Sequence, residues 1–228
     1  EAGMAALVTL INRVNQVYQV DLGISFQLVE NNDQIVFTDP ESDPFTNSDD
    51  DIDLNRDVID EAIGFNNYDI GHVVTTFSGL AGVEVVCTQF KAEGTTGLTS
   101  PVNDSFAIDY VSHEIGHQFG ATHSFNGSAG FCVGGRSPFS AVEPGSGSTI
   151  MSYASLCNEQ DLSQSADDYF HAISLEQMND FITNGAGATC GVVTNSVNNL
   201  PTVDAGNDFV IPVQTPMVLT AQAEDADD

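Results

Sequence analysis

Between His113 and His123 the chain reads HEIGHQFGATH, three imidazoles and a carboxylate in a short span. His113 and His117 stand four positions apart, so on a helix both side chains leave the same face and can reach one cation. Glu114 lies beside them. A helix continuing past His117 would carry His123 round to another face, but Gly120 can take the left-handed conformation that ends a helix and sends the chain back. His123 then supplies a third nitrogen. Three protein ligands with one position left open describe a catalytic zinc site rather than a structural one. The chemistry expected is hydrolysis: zinc lowers the pKa of a water molecule and Glu114, as general base, takes its proton. His72 and His171 fall outside this pattern and are expected to be structural or surface histidines.

The elements that must position these residues follow from periodicity. Apolar residues recur at three- and four-residue steps over 5–20, which predicts an amphipathic helix. Strands are expected at 24–29, 35–37, 69–77 and 83–88, and a second helix at 54–63. The Pro- and Asp-rich stretch 39–53, with its DDD run, reads as a solvated acidic loop, with a structural Ca2+ site as the second reading. Residues 91–101 read as a Gly- and Thr-rich loop. A helix capped by Asp104 or Ser105 then runs through Phe119 and carries the histidines. The Gly-rich segment 127–147 is expected to be irregular, helical spacing returns over 167–181, and 184–199 reads as a linker. Residues 1–192 are expected to form the catalytic domain and 193–228 a linker and C-terminal extension with short β-type runs.

Composition narrows the partners. In 228 residues, 4 Lys and Arg face 33 Asp and Glu, a net charge of −29, which repels nucleic acid and anionic membrane surfaces. No run approaches the roughly 18 apolar residues of a membrane-spanning helix, and no signal peptide opens the chain, which reads as a mature or trimmed fragment. Cys87, Cys132, Cys157 and Cys190 are widely spaced, without a C-x-x-C pair. Disulfides in an oxidising compartment are the expectation, with three pairings open.

HEIGHQFGATH matches H-E-x-x-H-x-x-G-x-x-H, and on this motif the chain resembles the metzincin zinc peptidases. The resemblance implies a methionine turn downstream. STIMSY, residues 148–153, fits it and would set Met151 beneath the three imidazoles as an apolar floor. The text YDIGHVVTTFSGLAGVEVVC before the helix, and SHEIGHQFGATHSF through it, resembles the reprolysin or adamalysin branch, particularly its bacterial members. Tyr153 matches a tyrosine of the astacin and serralysin branches that approaches the zinc or the oxyanion, implying a catalytic role beside Glu114.

The fold so implied is an α+β metzincin catalytic domain, with a mixed twisted sheet, long helices, an active-site helix ending at Gly120 and a C-terminal subdomain containing the methionine turn. The activity implied is that of a secreted zinc-dependent endopeptidase, a monomer, cutting extended polypeptides paired along an edge strand at 83–88 or its neighbour. A specificity pocket is expected near Ser124, Phe125 and 154–156. The same resemblance implies the disulfides Cys87 to Cys190 and, with it, Cys132 to Cys157. The tail resembles the opening of a PKD- or cadherin-like β-repeat. A rival expectation, a catalytically silent adhesive module of a larger cell-surface protein, accounts for the acid and the tail but leaves the zinc motif without a purpose.

Overall fold

The computed structural model describes residues 2–77, 79–195 and 197–227, in two units, 1–191 and 192–228. Helix α1 (Ala2–Leu22) opens the first, its apolar stripe turning Val14, Val17 and Tyr18 into the core. The Tyr18 ring lies 4.9 Å from Phe26, 5.1 Å from Phe170 and 5.9 Å from Phe119, centroid to centroid. Its hydroxyl donates to the Ser112 carbonyl at 2.9 Å. Complete burial of such a ring contributes about 2–3 kcal/mol, and the hydroxyl bond fixes α1 against the histidine-bearing helix.

The first two expected strands do not form, for identifiable reasons. At 24–29, Asn15 takes both backbone groups of Phe26, donating to its carbonyl at 2.9 Å and accepting its N–H at 2.7 Å, so a helix side chain replaces a partner strand. At 35–37, the chain is still leaving a 3-10 turn (Asn32–Ile35) entered through Asn31 at φ 65°. Helix α2 (Asp51–Ala62) starts earlier than expected and draws Asp51 into its first turn, where carboxylates meet the positive end of the helix. The Asp51 carboxylate accepts the N–H groups of Thr46 (2.8 Å) and Ser48 (3.2 Å) and the Thr46 hydroxyl. Among the described residues, no carboxylate of this loop joins a cluster of three metal-ligating side chains.

A three-stranded mixed sheet follows, β1 (Val73–Thr75), β2 (Gly79–Ala81) and β3 (Gly94–Gly97), in the order β1-β3-β2. β1 runs parallel to β3 and β2 antiparallel to it. Of the expected strand 69–77, only Val73–Thr75 pairs. The Gly- and Thr-rich run expected to be loop is the buried central strand. Glycine is required there by close approach: a Cβ on Gly94 would lie 2.5 Å from His72 Nδ1 and 2.6 Å from the Gln118 side chain.

Segment 83–88, expected as a strand, is a tight turn with Glu84 at φ 59° and Cys87 at φ 65°. Its amides serve a helix end instead of a sheet. Glu84 N–H donates to the His117 carbonyl (3.2 Å), while those of Val85 and Val86 donate to Gln118 (3.0 and 3.3 Å). Carbonyls that a helix leaves unpaired at its C-terminus are satisfied in this way.

The histidine-bearing helix comprises α3 (Asp104–Phe106), a π-helical stretch (Ala107–Ser112) and α4 (His113–Gln118). Beyond it, residues 121–170 are almost wholly irregular, held by the disulfide Cys132–Cys157 and a parallel bridge between Phe125 and Glu143. Helix α5 (Ala172–Asn184) begins later than the expected 167, because His171 caps it by accepting the Ile173 N–H at 3.2 Å. The disulfide Cys87–Cys190 joins the turn under α4 to the end of the unit. In the second unit β4 (Thr202–Asp204) and β5 (Gln222–Glu224) pair antiparallel, and the described residues are exposed throughout.

Candidate metal centre

α4 places His113 and His117 on one face with ring centroids 4.8 Å apart. Gly120, at φ 100°, then reverses the chain: its N–H reaches the His117 carbonyl at 2.8 Å and that of Ala121 reaches Gly116 at 2.9 Å. A side chain is poorly tolerated at that φ, which accounts for the glycine. The reversal delivers His123, whose ring lies 4.7 Å from that of His117 and 5.2 Å from that of His113. Among the described residues, these three form the cluster able to hold a metal ion, with ligand atoms all within 4.8 Å of one another.

The hydrogen bonds settle which nitrogen faces inward. Nδ1 of His113 meets the Ile150 carbonyl at 2.7 Å, Nδ1 of His117 that of Ala121 at 2.7 Å, and Nδ1 of His123 that of Gly135 at 2.6 Å. A carbonyl only accepts, so each Nδ1 carries the proton and each neutral ring presents a bare Nε2 lone pair. Burial, followed by repulsion from its neighbouring imidazoles, holds His113 well below the usual histidine range. Burial lowers His117 to about 4 and lowers His123 as well. The Nε2 atoms of His117 and His123 stand 3.1 Å apart, two lone pairs that repel unless a cation lies against both. Three converging neutral imidazoles fit zinc.

Glu114 is buried next to the triad, and burial pushes its carboxyl up to about 8. A nearby cation would draw it back down. The edge strand β2 passes directly over it: a Cβ on Gly79 would come 3.0 Å from Glu114 Oε1. Tyr153 lies beside the triad, its ring 4.6 Å from His123 and 5.7 Å from His113. Burial, then the Glu114 charge, raises its hydroxyl pKa, so it stays protonated. Met151 is fully buried against the helix, where a Cβ on Gly116 would lie 2.5 Å from its sulfur.

Ser124 and Phe125 do not line a pocket. Both are fully buried, and Phe125 stacks behind His123 at 5.2 Å. His72 lies outside the triad, its ring nitrogens bonded to Gln118 Oε1 (2.8 Å) and Thr96 Oγ1 (2.7 Å). Cys132 and Cys157 pack with Phe125 and Tyr153. The sequence reading missed Gly79 and the carbonyls of Ile150 and Gly135. A backbone carbonyl belongs to every residue, so residue type carries no signal for those two; a glycine next to a short edge strand was the available hint for Gly79.

The model of one family, described as Metallo-peptidase family M12B Reprolysin-like, matches residues 1–179. A comparison with curated proteins returns no match.

Proposed function

Since the chain belongs to the reprolysin-like M12B metallopeptidase family, we propose that it is a secreted zinc-dependent endopeptidase in which His113, His117 and His123 hold the metal and Glu114 is the general base. The observation that carries this is the convergence of three Nε2 lone pairs, each fixed by a carbonyl on its Nδ1. Zinc bound there supplies Lewis acidity toward water and a peptide carbonyl. Glu114 takes a proton from the attacking water on its carboxylate and passes it to the leaving amine nitrogen, after which the C–N bond is broken. Its burial suits it to hold the proton between those transfers. The Tyr153 hydroxyl, kept protonated, donates toward the carbonyl oxygen as negative charge develops there.

Among the described residues, strand β2 lies at one edge of the sheet, where it can pair with an extended peptide, which favours cleavage within chains. The active-site edge is therefore Gly79–Ala81, the neighbour of the segment expected from sequence. Met151, buried against α4, gives the triad an apolar floor. Two disulfides agree with an oxidising, extracellular setting, and among the described residues no helix is long and apolar enough to cross a membrane.

The test is to incubate the chain and a Glu114→Ala variant with casein, measuring bound zinc and new amino termini together. Both should bind zinc, and the variant should cut at least about 10²-fold more slowly. Equal cutting would remove Glu114 from the mechanism; zinc bound by both with no cutting by either would sink the peptidase reading.

A further inference from the structure

The ligand His123 and the carbonyl that orients His113 lie on different irregular segments, 27 positions apart from His123 to Ile150. Neither segment has a helix or strand to hold it. Glu143, on a third segment, is buried, and its carboxylate reaches both. Oε1 accepts the Ser124 hydroxyl at 2.6 Å and the Thr149 hydroxyl in a very short bond. Oε2 accepts the N–H groups of Ser148 at 2.8 Å and Thr149 at 3.2 Å. The Glu143 backbone extends the link, its N–H donating to the Ser124 carbonyl (2.9 Å) and its carbonyl accepting from Asn126 (2.8 Å). Gly147, at φ 68°, leaves room for the carboxylate, since a Cβ there would meet Oε2 at 2.9 Å.

We propose that Glu143 is a positioning residue of the metal centre, fastening the segment that carries His123 to the segment whose Ile150 carbonyl orients His113. It touches neither metal ligand. It acts through Ser124, the next residue after His123, and through Thr149, the residue before Ile150. Burial favours the neutral carboxyl, but the four hydrogen bonds outweigh it and hold the pKa below the ordinary glutamate value, so the acceptor remains an anion. Charge-assisted bonds of this kind are strong enough to fix the relative height of the two segments, and with it the spread of the three Nε2 atoms.

This inference rests on the zinc-peptidase reading, and the experiment separates the two. The parent, Glu143→Gln, Ser124→Ala and a control, Ile59→Ala, in the distinct core around Tyr68 and Ala92, are loaded with zinc or cobalt. Four properties are measured: zinc affinity by chelator competition, the visible spectrum of the cobalt form, kcat and KM on casein, and thermal melting of the zinc-depleted protein. Glu143→Gln should bind zinc about 10- to 100-fold more weakly, with an altered cobalt spectrum and a fall in kcat larger than any change in KM. Ser124→Ala removes one of the four bonds and should move the same quantities less, deciding the matter even if Glu143→Gln fails to fold. Ile59→Ala should lower the melting temperature and leave the cobalt spectrum unchanged. If the two site variants melt earlier but keep the parent's zinc affinity and cobalt spectrum, Glu143 is only a loop brace and the proposal is overturned. A parent that binds no zinc overturns the function reading itself, which its own arm of the experiment reveals.

Discussion

The candidate metal centre is built from two unlike halves. His113, Glu114 and His117 come from a helix whose hydrogen-bond ladder sets the relative placement of their backbones locally, leaving only the ring orientations to other contacts. His123, Tyr153 and the orienting carbonyls of Gly135 and Ile150 come from irregular chain. There placement leans on ties between separated segments, the Cys132–Cys157 disulfide and the Glu143 carboxylate among them. A regular element specifies geometry locally, whereas an irregular wall of the same site must be specified contact by contact.

The two disulfides give the sharpest way to break this contrast, because stability and metal affinity should rank them oppositely. Cys87–Cys190 spans 103 positions and Cys132–Cys157 spans 25. Replacing the first pair with alanine should cost about 5 kcal/mol and the second about 3.5 kcal/mol in urea unfolding, from loop-closure entropy. Zinc affinity should fall further for the second, which braces the irregular half. A larger zinc loss in the Cys87/Cys190 variant would erase the distinction.

The next effect concerns the base of the helical half. Burial, against the opposing Gln118 bond, holds His72 at about 4 in the fold, while an unfolded chain titrates near 6.5. A depressed native value means that stability is fully present above pH 6.5 and is lost as pH falls toward 4, by up to about 3 kcal/mol. In His72→Gln that part of the slope should vanish. Urea midpoints of both proteins at pH 7 and pH 4.5 give the comparison, and parallel slopes would show that His72 takes no part.

Smallest is Gly116→Ala, on the helix itself. Alanine gains about 1 kcal/mol in helix propensity, but its Cβ would sit 2.5 Å from the Met151 sulfur and 3.3 Å from Phe170. With Met151 fully enclosed, the clash should win, leaving the protein about 1–2 kcal/mol less stable and melting several degrees lower. A raised melting temperature would show that the floor beneath the helix can yield.

The same division explains what could be read in the sequence. The paired helix histidines and the reversal at Gly120 follow from spacing and from one residue's conformational freedom, and both are visible in a string of letters. The sheet was harder. β3 is written Gly-Thr-Thr-Gly, loop vocabulary, and is a strand because β1 and β2 pair with it on either side, His72 and Gln118 requiring the glycine at 94. Segment 83–88 is written in strand vocabulary and is a turn because the end of the histidine-bearing helix takes its amides. In both places a tertiary contact overrode local propensity. Glu143 was illegible for another reason: one acid among 33 acquires meaning only from the donors that surround it.

The carbonyls on the three Nδ1 atoms also bear on the order of assembly. They come from residues 37, 4 and 12 positions away from the histidines they hold, so the ring orientations are products of the completed chain trace. Two of the three rings thus take their orientation from the irregular half, so a fault in that wall would reach the imidazoles of the helix as well as His123.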